Sequence, residues 1–348
     1  MALGADVAAR LIECGALAPS GDNLQPWIVE HIGDSILVSV DRARDRSLYN
    51  FGYQASLIAI GAMAENMAIA AGEFGLTASV TISAASAELP SVKVTFSPGA
   101  ASRDPLYPAI ARRCTNRKPY QPGPLAPEAV KSLRAAALDV EGAELRLIDG
   151  RDDVRTLARA ASLNDRLLFE IPELHAVFFE SMRWTREEAE RTRDGLFVDT
   201  LELGPAAAGF KAMRRPGLVR FTNALGASRL APRHSYQTFL KSAALGFLQV
   251  EGRGGGAYIG GGRAMQRVWL TATALGLAFQ PMAGMLYLLN YLDAPHPSVT
   301  PPQRATMSDA QRLYANVLPL AADRANIMLF RVGHAPPPSA LSLRRPAV

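Results

Sequence analysis

The chain is poor in cysteine: Cys14 and Cys114 are the two in 348 residues. A disulfide-dense secreted scaffold and a cysteine-rich zinc module are both excluded, and a reducing compartment is the default. It also lacks any run of about 18 uninterrupted apolar residues, so no membrane span is expected. The longest such stretch, Ala55 to Ala64, stops at Glu65. Asp6, Arg10 and Glu13 interrupt the apolar N-terminus, which is no signal-peptide core. The expected location is cytoplasmic. Charge of one sign is scarce as well: the net charge is +5 with a pI near 9.3, and no lysine-rich block stands out. Nucleic acid is therefore not an expected partner, and a small anionic ligand accounts equally well for clustered arginines.

What is present is an ordinary globular composition, 49% hydrophobic and 20% charged. A chain of this length buries about 75% of its unfolded surface and needs no covalent staple. Its length gives two domains as a prior.

Apolar spacing predicts a helix over about Ala5 to Leu17, ended by the breakers Pro19-Ser20-Gly21-Asp22. Trp27 to Ile32 and Ile36 to Val40, joined by Gly33-Asp34, read as a hairpin. Gln54 to Phe74 reads as a long helix apolar nearly all round, hence central. Strands are expected at Thr77 to Ser83 and Ser91 to Phe96.

Further on, a short helix is expected over Arg103 to Arg113, another from Pro127 to about Ala137, and a strand over Leu145 to Ile148. Residues 150 to 250 read as mostly helical. Gly260 to Leu277 reads as a second long apolar helix. Ser308 with Gln311 reads as a capping box opening a helix to about Leu318, followed by a strand over Asn326 to Val332.

There is an internal echo. Placing Gly75-Leu76 on Gly276-Leu277 sets an offset of 201 residues, at which Gly61 meets Gly262 and Ala71 meets Ala272. Two unrelated alanine-rich core helices would align about as well.

Three segments carry candidate chemistry. Ala18-Pro19-Ser20-Gly21-Asp22-Asn23-Leu24-Gln25-Pro26-Trp27 offers free backbone N–H groups and short polar side chains suited to a polar heterocycle or ribityl chain. An ordinary helix-to-strand loop capped by Ser20 and Asn23 would have the same composition. Arg112-Arg113-Cys114-Thr115-Asn116-Arg117-Lys118 gathers guanidinium groups of the kind that bind phosphate bidentately. A solvated basic helix end is the alternative. Gln280-Pro281-Met282-Ala283-Gly284 can present backbone N–H groups to a ring, or simply terminate a helix.

Other motifs do not rise. Gly252-Arg253-Gly254-Gly255-Gly256 lacks a dinucleotide-loop context. The histidines at 31, 175, 234, 296 and 334 show no metal spacing, and no Gly-x-Ser-x-Gly elbow exists. No catalytic metal is expected.

Together the three segments resemble the FMN-dependent nitroreductase family, whose Ala-Pro-Ser-x-x-Asn-x-Gln-Pro-Trp string matches Ala18 to Trp27. The arginine element at Arg112 to Arg117, the long helix at Gly262 to Leu277 and Arg331-Val332-Gly333 support the likeness, which covers most of the chain outside residues 185 to 245. The family's order is reversed here: the arginine element follows the Pro-Ser loop by about a hundred residues. The first half has the loop without arginines and the second has arginines without the loop. The pattern is most similar to the fused-repeat, Acg-type branch, in which one chain mimics a dimer.

That resemblance implies an α+β, nitroreductase-like fold of two fused half-repeats, a pseudo-dimer with central mixed sheets and two long core helices. The halves would be residues 1–100 and 101–348, the latter with a helical insertion or lid at about 185–245. It implies one FMN per chain, bound by Pro19, Ser20, Gly21, Asn23 and Gln25 from the first half. Arg112, Arg113, Thr115, Arg117 and Arg331 would hold phosphate and ribityl groups, and Pro281, Met282, Ala283 and Gly284 would flank the ring. Cys114 falls near the family's serine position. No side chain is expected to act as a catalytic acid. The activity implied is NADH- or NADPH-dependent two-electron reduction of a small electrophile, nitroaromatic or quinone-like. The alternative is a flavin-sequestering protein without turnover, its ring covered by Trp184, Phe197, Phe210 and Phe221; an extra helical layer would account for the insertion equally well. The chain would be a monomer with an internal pseudo-dimer or a further homodimer.

Overall fold

The computed structural model describes residues 3–83, 89–99 and 102–346. The first half runs α1 (Ala5–Ala16), β1 (Trp27–Ile32), β2 (Ser35–Val40), α2 (Gln54–Ala71), β3 (Leu76–Ile82) and β4 (Val92–Pro98). The second runs α3 (Pro127–Leu138), β5 (Ala143–Ile148), α4 (Arg151–Glu170), α5 (Pro172–Ser181), a string of short helices including α6 (Pro216–Ala224) and α7 (Pro232–Leu240), then β6 (Ala244–Glu251), α8 (Gly255–Ala274), β7 (Ala278–Pro281), α9 (Pro301–Ala315) and β8 (Arg324–Gly333). The fold is α+β.

Each half builds one four-stranded sheet, and the two have the same strand order. Sheet one is β1-β2-β4-β3 and sheet two is β5-β6-β8-β7: first, second, fourth, third. In both, the long helix joins the second strand to the third, and a helix precedes the first strand. All pairings in both sheets are antiparallel, which corrects the expectation of mixed sheets. The long helix returns the chain to the far side of the sheet, where, among the described residues, β3 and β7 are edge strands paired with the last strand.

The helices α2 and α8 pack against each other at the centre, crossing at Gly61 and Gly262. Glu65, almost fully buried, accepts from Arg263 Nε (2.7 Å) and Arg267 Nη1 (2.9 Å), while Gln266 Nε2 donates to Asn66 Oδ1 (2.6 Å). At the offset of 201 residues, Glu65 corresponds to Gln266 and Asn66 to Arg267, so the two contacts exchange places. The region 48–74 is long and apolar enough to cross a membrane, but 83% of its most apolar window is buried in the fold. One apolar core runs through both sheets and both long helices, so it is continuous across residue 100.

Several expectations need correction. Residues 244–251, read as helical, are the strand β6; seven of its eight residues are buried, so it shows no alternation. Gln280 and Pro281, expected to begin a helix-terminating segment through Gly284, instead end the strand β7. The helix expected from Ser308 begins at Pro301 instead, behind a capping box made by Thr300 and Gln303. The short helix expected over 103–113 is confined to Tyr107–Ile110.

Candidate functional site

A cavity of about 660 Å³ opens where the halves meet. Its walls come from the loop after α1, the face of α2 at Ala55, Ile58 and Ala59, residues 110–117, α4, α7, the end of β7 and the tail at 340–344. That volume falls in the range typical of small-molecule sites.

The loop after α1 is held in an unusual shape. Asp22, Asn23 and Gln25 all have positive φ, at 45°, 57° and 54°. Such conformations cost energy for residues with a Cβ and persist only where surroundings impose them. Here side-chain bonds do so. Asn23 Nδ2 donates to Gly195 O (3.1 Å) and Leu343 O (2.9 Å), and its Oδ1 accepts from Arg344 Nη1. Gln25 Nε2 donates to Arg193 O (2.9 Å), and its Oε1 accepts from Arg345 N (3.0 Å). Ser20 Oγ closes the loop by accepting from Gln25 N (2.9 Å). The loop therefore pins the insertion and the C-terminal tail together.

Of the residues expected at the site, Pro19, Ser20, Gly21, Asn23, Arg113, Thr115, Arg117, Pro281, Ala283 and Gly284 line the cavity. Gln25, Arg112, Met282 and Arg331 do not. Arg112 is exposed and donates to Pro108 O (3.2 Å), one turn back on its own segment. Arg331 is fully buried, with Nε on Gln280 Oε1 (2.7 Å), Nη2 on Lys118 O (2.9 Å) and its guanidinium 3.8 Å from the centroid of the Tyr120 ring. These two leave the expected phosphate clamp. Gln25 is spent on the insertion and tail, and Met282 N donates to Leu329 O (2.7 Å).

The clamp regains a member that the sequence reading missed. Arg344, from the tail, lines the cavity beside Arg113. Arg113 is 92% buried: Nη2 donates to Leu17 O (2.9 Å) and the guanidinium lies 4.6 Å from the Trp269 ring centroid. Trp269 is fixed in turn, stacking on Phe279 (4.5 Å), which stacks on Phe330 (4.2 Å). The Nε atoms of both Arg113 and Arg344 are buried without a partner, and neither residue pairs with a carboxylate among the described residues. Burial, then the charge of Arg344, pulls Arg113 down to about 9; burial alone pulls Arg344 down to about 10. A buried and a half-buried cation without a carboxylate partner suit an anion. Adjacent arginines at 344 and 345 in an otherwise charge-free tail were the available signal.

Arg117 Nη1 donates to Thr200 O (3.0 Å), tying the insertion to this wall, and burial lowers its pKa while Asp22 opposes the shift. Asp22 is raised to about 6, first by burial and next by the Asp45 carboxylate. Burial also lifts Asp165 to about 6, although Ser235 Oγ donates to its Oδ2 (2.6 Å). Burial raises the Cys114 thiol. A Cβ on Gly284 would stand 2.6 Å from Asn164 Oδ1, so a side chain there would push the Asn164 amide from its place on the cavity wall.

The insertion contributes Leu196, Thr200, Leu201, Leu203 and Phe210 to the wall. Of the four aromatics expected to cover a ring, Phe210 alone lines the cavity. Trp184 stacks on Phe179 (6.1 Å), Phe197 packs in a satellite core with Met182 and Leu196, and Phe221 is 64% exposed. The Gly252–Gly256 run lies at the start of α8, away from the cavity.

Fold and site together define an α+β protein of two like-ordered sheets with a large, cation-bearing cavity at their junction. Solved structures similar to it include a nitroreductase with bound FMN from Bacteroides fragilis, 10% identical at a TM-score of 0.36, covering 69% of this chain and 93% of that one. Another is the FMN-dependent nitroreductase NfnB from Mycobacterium smegmatis in complex with NADPH, 16% identical at a TM-score of 0.33, covering 65% of this chain and 86% of that one. Among curated proteins, an uncharacterized protein of Mycobacterium tuberculosis is 29% identical over 334 residues, covering 94% of this chain and 46% of that protein. The chain thus spans about half the length of that relative. No family model matches the chain.

Proposed function

We propose that the protein is an FMN-binding oxidoreductase of nitroreductase type, with one flavin site per chain in the cavity between its fused halves. The observation that carries this reading is a pair of guanidinium groups without carboxylate partners, buried Arg113 and half-buried Arg344, beside the Pro19-Ser20-Gly21 loop. The residues fit the cofactor. Both orphaned Nε donors suit a phosphate, Thr115 and Ser20 offer hydroxyls for a ribityl chain, and Pro281, Ala283 and Gly284 on the cavity wall can flank a flat ring.

When bound, FMN supplies two-electron chemistry between NADH or NADPH and a small electrophile such as a nitroaromatic or quinone. The chain's own groups then bind, orient and exclude water. Arg113 and Arg344 neutralise the phosphate, and Phe210 and Leu203 keep water from one side. The Oδ atoms of Asp22 and Asp165, both poised near 6, can hold or release a proton near neutral pH.

A second reading, flavin sequestration without turnover, is favoured by the way the insertion and tail are tied over the cavity through Asn23, Gln25 and Arg117. An absorption spectrum of the purified protein tests both. A yellow preparation that bleaches within seconds of anaerobic NADPH supports turnover, and a lasting yellow spectrum supports sequestration. A colourless preparation that binds FMN no tighter than riboflavin sinks both.

A further inference from the structure

Between Glu202 and Glu251 the chain has no acidic residue but seven basic ones: Lys211, Arg214, Arg215, Arg220, Arg229, Arg233 and Lys241. The net charge of the whole chain is +5, so this one segment more than accounts for it. All seven are exposed, and none forms an ion pair among the described residues. Elsewhere arginines pair freely, as Arg166 does with Glu170 and Arg183 with Asp194.

Large apolar side chains stand exposed among these cations. Phe221 is 64% exposed, Leu225 74% and Leu230 57%. Phe221 and Leu225 lie one turn apart at α6, and Leu230 follows directly on Arg229. Their exposure is not a sign of a loose helix. Val219 is buried beneath α6, Asn223 Nδ2 donates to Phe169 O (2.7 Å), and Ser228 Oγ donates to Glu170 Oε1 (2.8 Å). A firmly seated segment thus turns its apolar and cationic side chains outward together.

A second copy of the chain is a poor occupant, because it would bring like charge against like charge. A nucleic-acid backbone would satisfy the arginines but give the leucines nowhere to go. An anionic bilayer satisfies both: guanidinium groups meet headgroup phosphates while apolar side chains enter the acyl boundary. We propose that residues 211–233 form a peripheral docking surface for anionic lipid membranes, anchored by Phe221, Leu225 and Leu230 and held by the surrounding arginines. Such a surface contact needs no membrane-spanning run and no bound flavin.

The test is flotation of the full chain with vesicles of phosphatidylcholine containing phosphatidylglycerol, beside vesicles of phosphatidylcholine alone. Binding to the anionic vesicles is expected at low salt and should weaken as salt rises. R214S/R215S should lower partitioning about 25-fold, near fivefold per arginine. F221S/L225S should abolish the binding that survives at high salt. The exposed pair on α3, changed in K131S/R134S, serves as a control that leaves binding unchanged. The proposal is overturned by equal or absent binding to the two vesicle types, or by F221S/L225S binding like the unmodified chain. Tight retention on heparin or duplex DNA without vesicle binding overturns it too and assigns the patch to a soluble polyanion. The salt series on the unmodified chain stands whether or not a variant folds.

Discussion

Gly61 and Gly262 face each other's helix in reciprocal fashion. A Cβ on Gly61 would lie 2.0 Å from the Ile259 carbonyl oxygen, and a Cβ on Gly262 would lie 2.0 Å from that of Ile58. Both the glycines and the carbonyl-bearing isoleucines are separated by the offset found in the sequence, 201 residues. The two helices therefore meet about a local two-fold axis, backbone against backbone. Gly61→Ala or Gly262→Ala should each force α2 and α8 apart, at a cost of about 1–3 kcal/mol. Because both act on one crossing, the double variant should lose less than the sum. Denaturant midpoints of the three variants check this; strict additivity would show the two sites to be independent.

The paired arginines predict anion dependence. Inorganic phosphate should raise the melting temperature of the ligand-free protein, since it binds the folded state alone. Arg344→Gln should remove most of that gain and weaken FMN binding about tenfold to a hundredfold while leaving riboflavin unaffected. Arg113 must be charged to hold a phosphate, so affinity should fall as pH rises through about 9. Calorimetric titration across that range reads the effect directly.

Asp22 predicts a slope of the opposite kind to an ordinary ion-paired carboxylate. Its pKa is raised in the folded protein from 3.8 to about 6, so the folded state holds the proton more tightly than the unfolded chain. Stability should therefore fall as pH rises from about 4 to about 6, and level off above that window. Asp22→Asn should flatten part of this slope and raise the melting temperature at pH 7 by about 2–4 °C, with Asp165 and Asp45, both also raised by burial, contributing to the rest. An unchanged slope would mean that burial beside Asp45 does not hold the proton on this carboxyl.

Asn23 joins three parts of the chain, and its removal should free two of them. Asn23→Ala leaves Gly195 O and Leu343 O without their donor. Trypsin should then cut after Arg193 and Arg344 about tenfold faster, because local opening becomes cheaper. Mass spectrometry of the fragments over time settles whether the tail is held in this way.

Much of the first half was legible because its signals are local. The hairpin has two β-rich runs and a Gly-containing turn, and α2 is apolar nearly all round, the pattern of a buried central helix. The second half hides its strands. β6 is buried on both faces, and an unbroken apolar run reads the same as a buried helix. The capping box was ambiguous because Thr300-x-x-Gln303 and Ser308-x-x-Gln311 share one pattern. Pro301 and Pro302 decide it, since proline is accommodated in the first turn of a helix and nowhere further in.

The site divided along the same line. The loop at Ala18 to Trp27 announced itself, yet two of its polar side chains serve the chain rather than a ligand. Arg331 was an attractive phosphate ligand in sequence, but it sits in a strand whose register turns it into the interior against Tyr120 and Lys118. Arg344 reaches the cavity only because the tail folds back across residues 320 positions away, and no short-range pattern encodes such a return.

The repeated strand order also has a consequence for how such a molecule can change. When two identical subunits meet, one codon specifies both sides of the crossing, and a substitution alters two places at once. Here Gly61 and Gly262 are encoded separately, and so are the loop after α1 and the four-residue link that stands in its place after α3. Each half is free to drift without dragging the other along. One side has a strained, polar loop where its counterpart has a short turn.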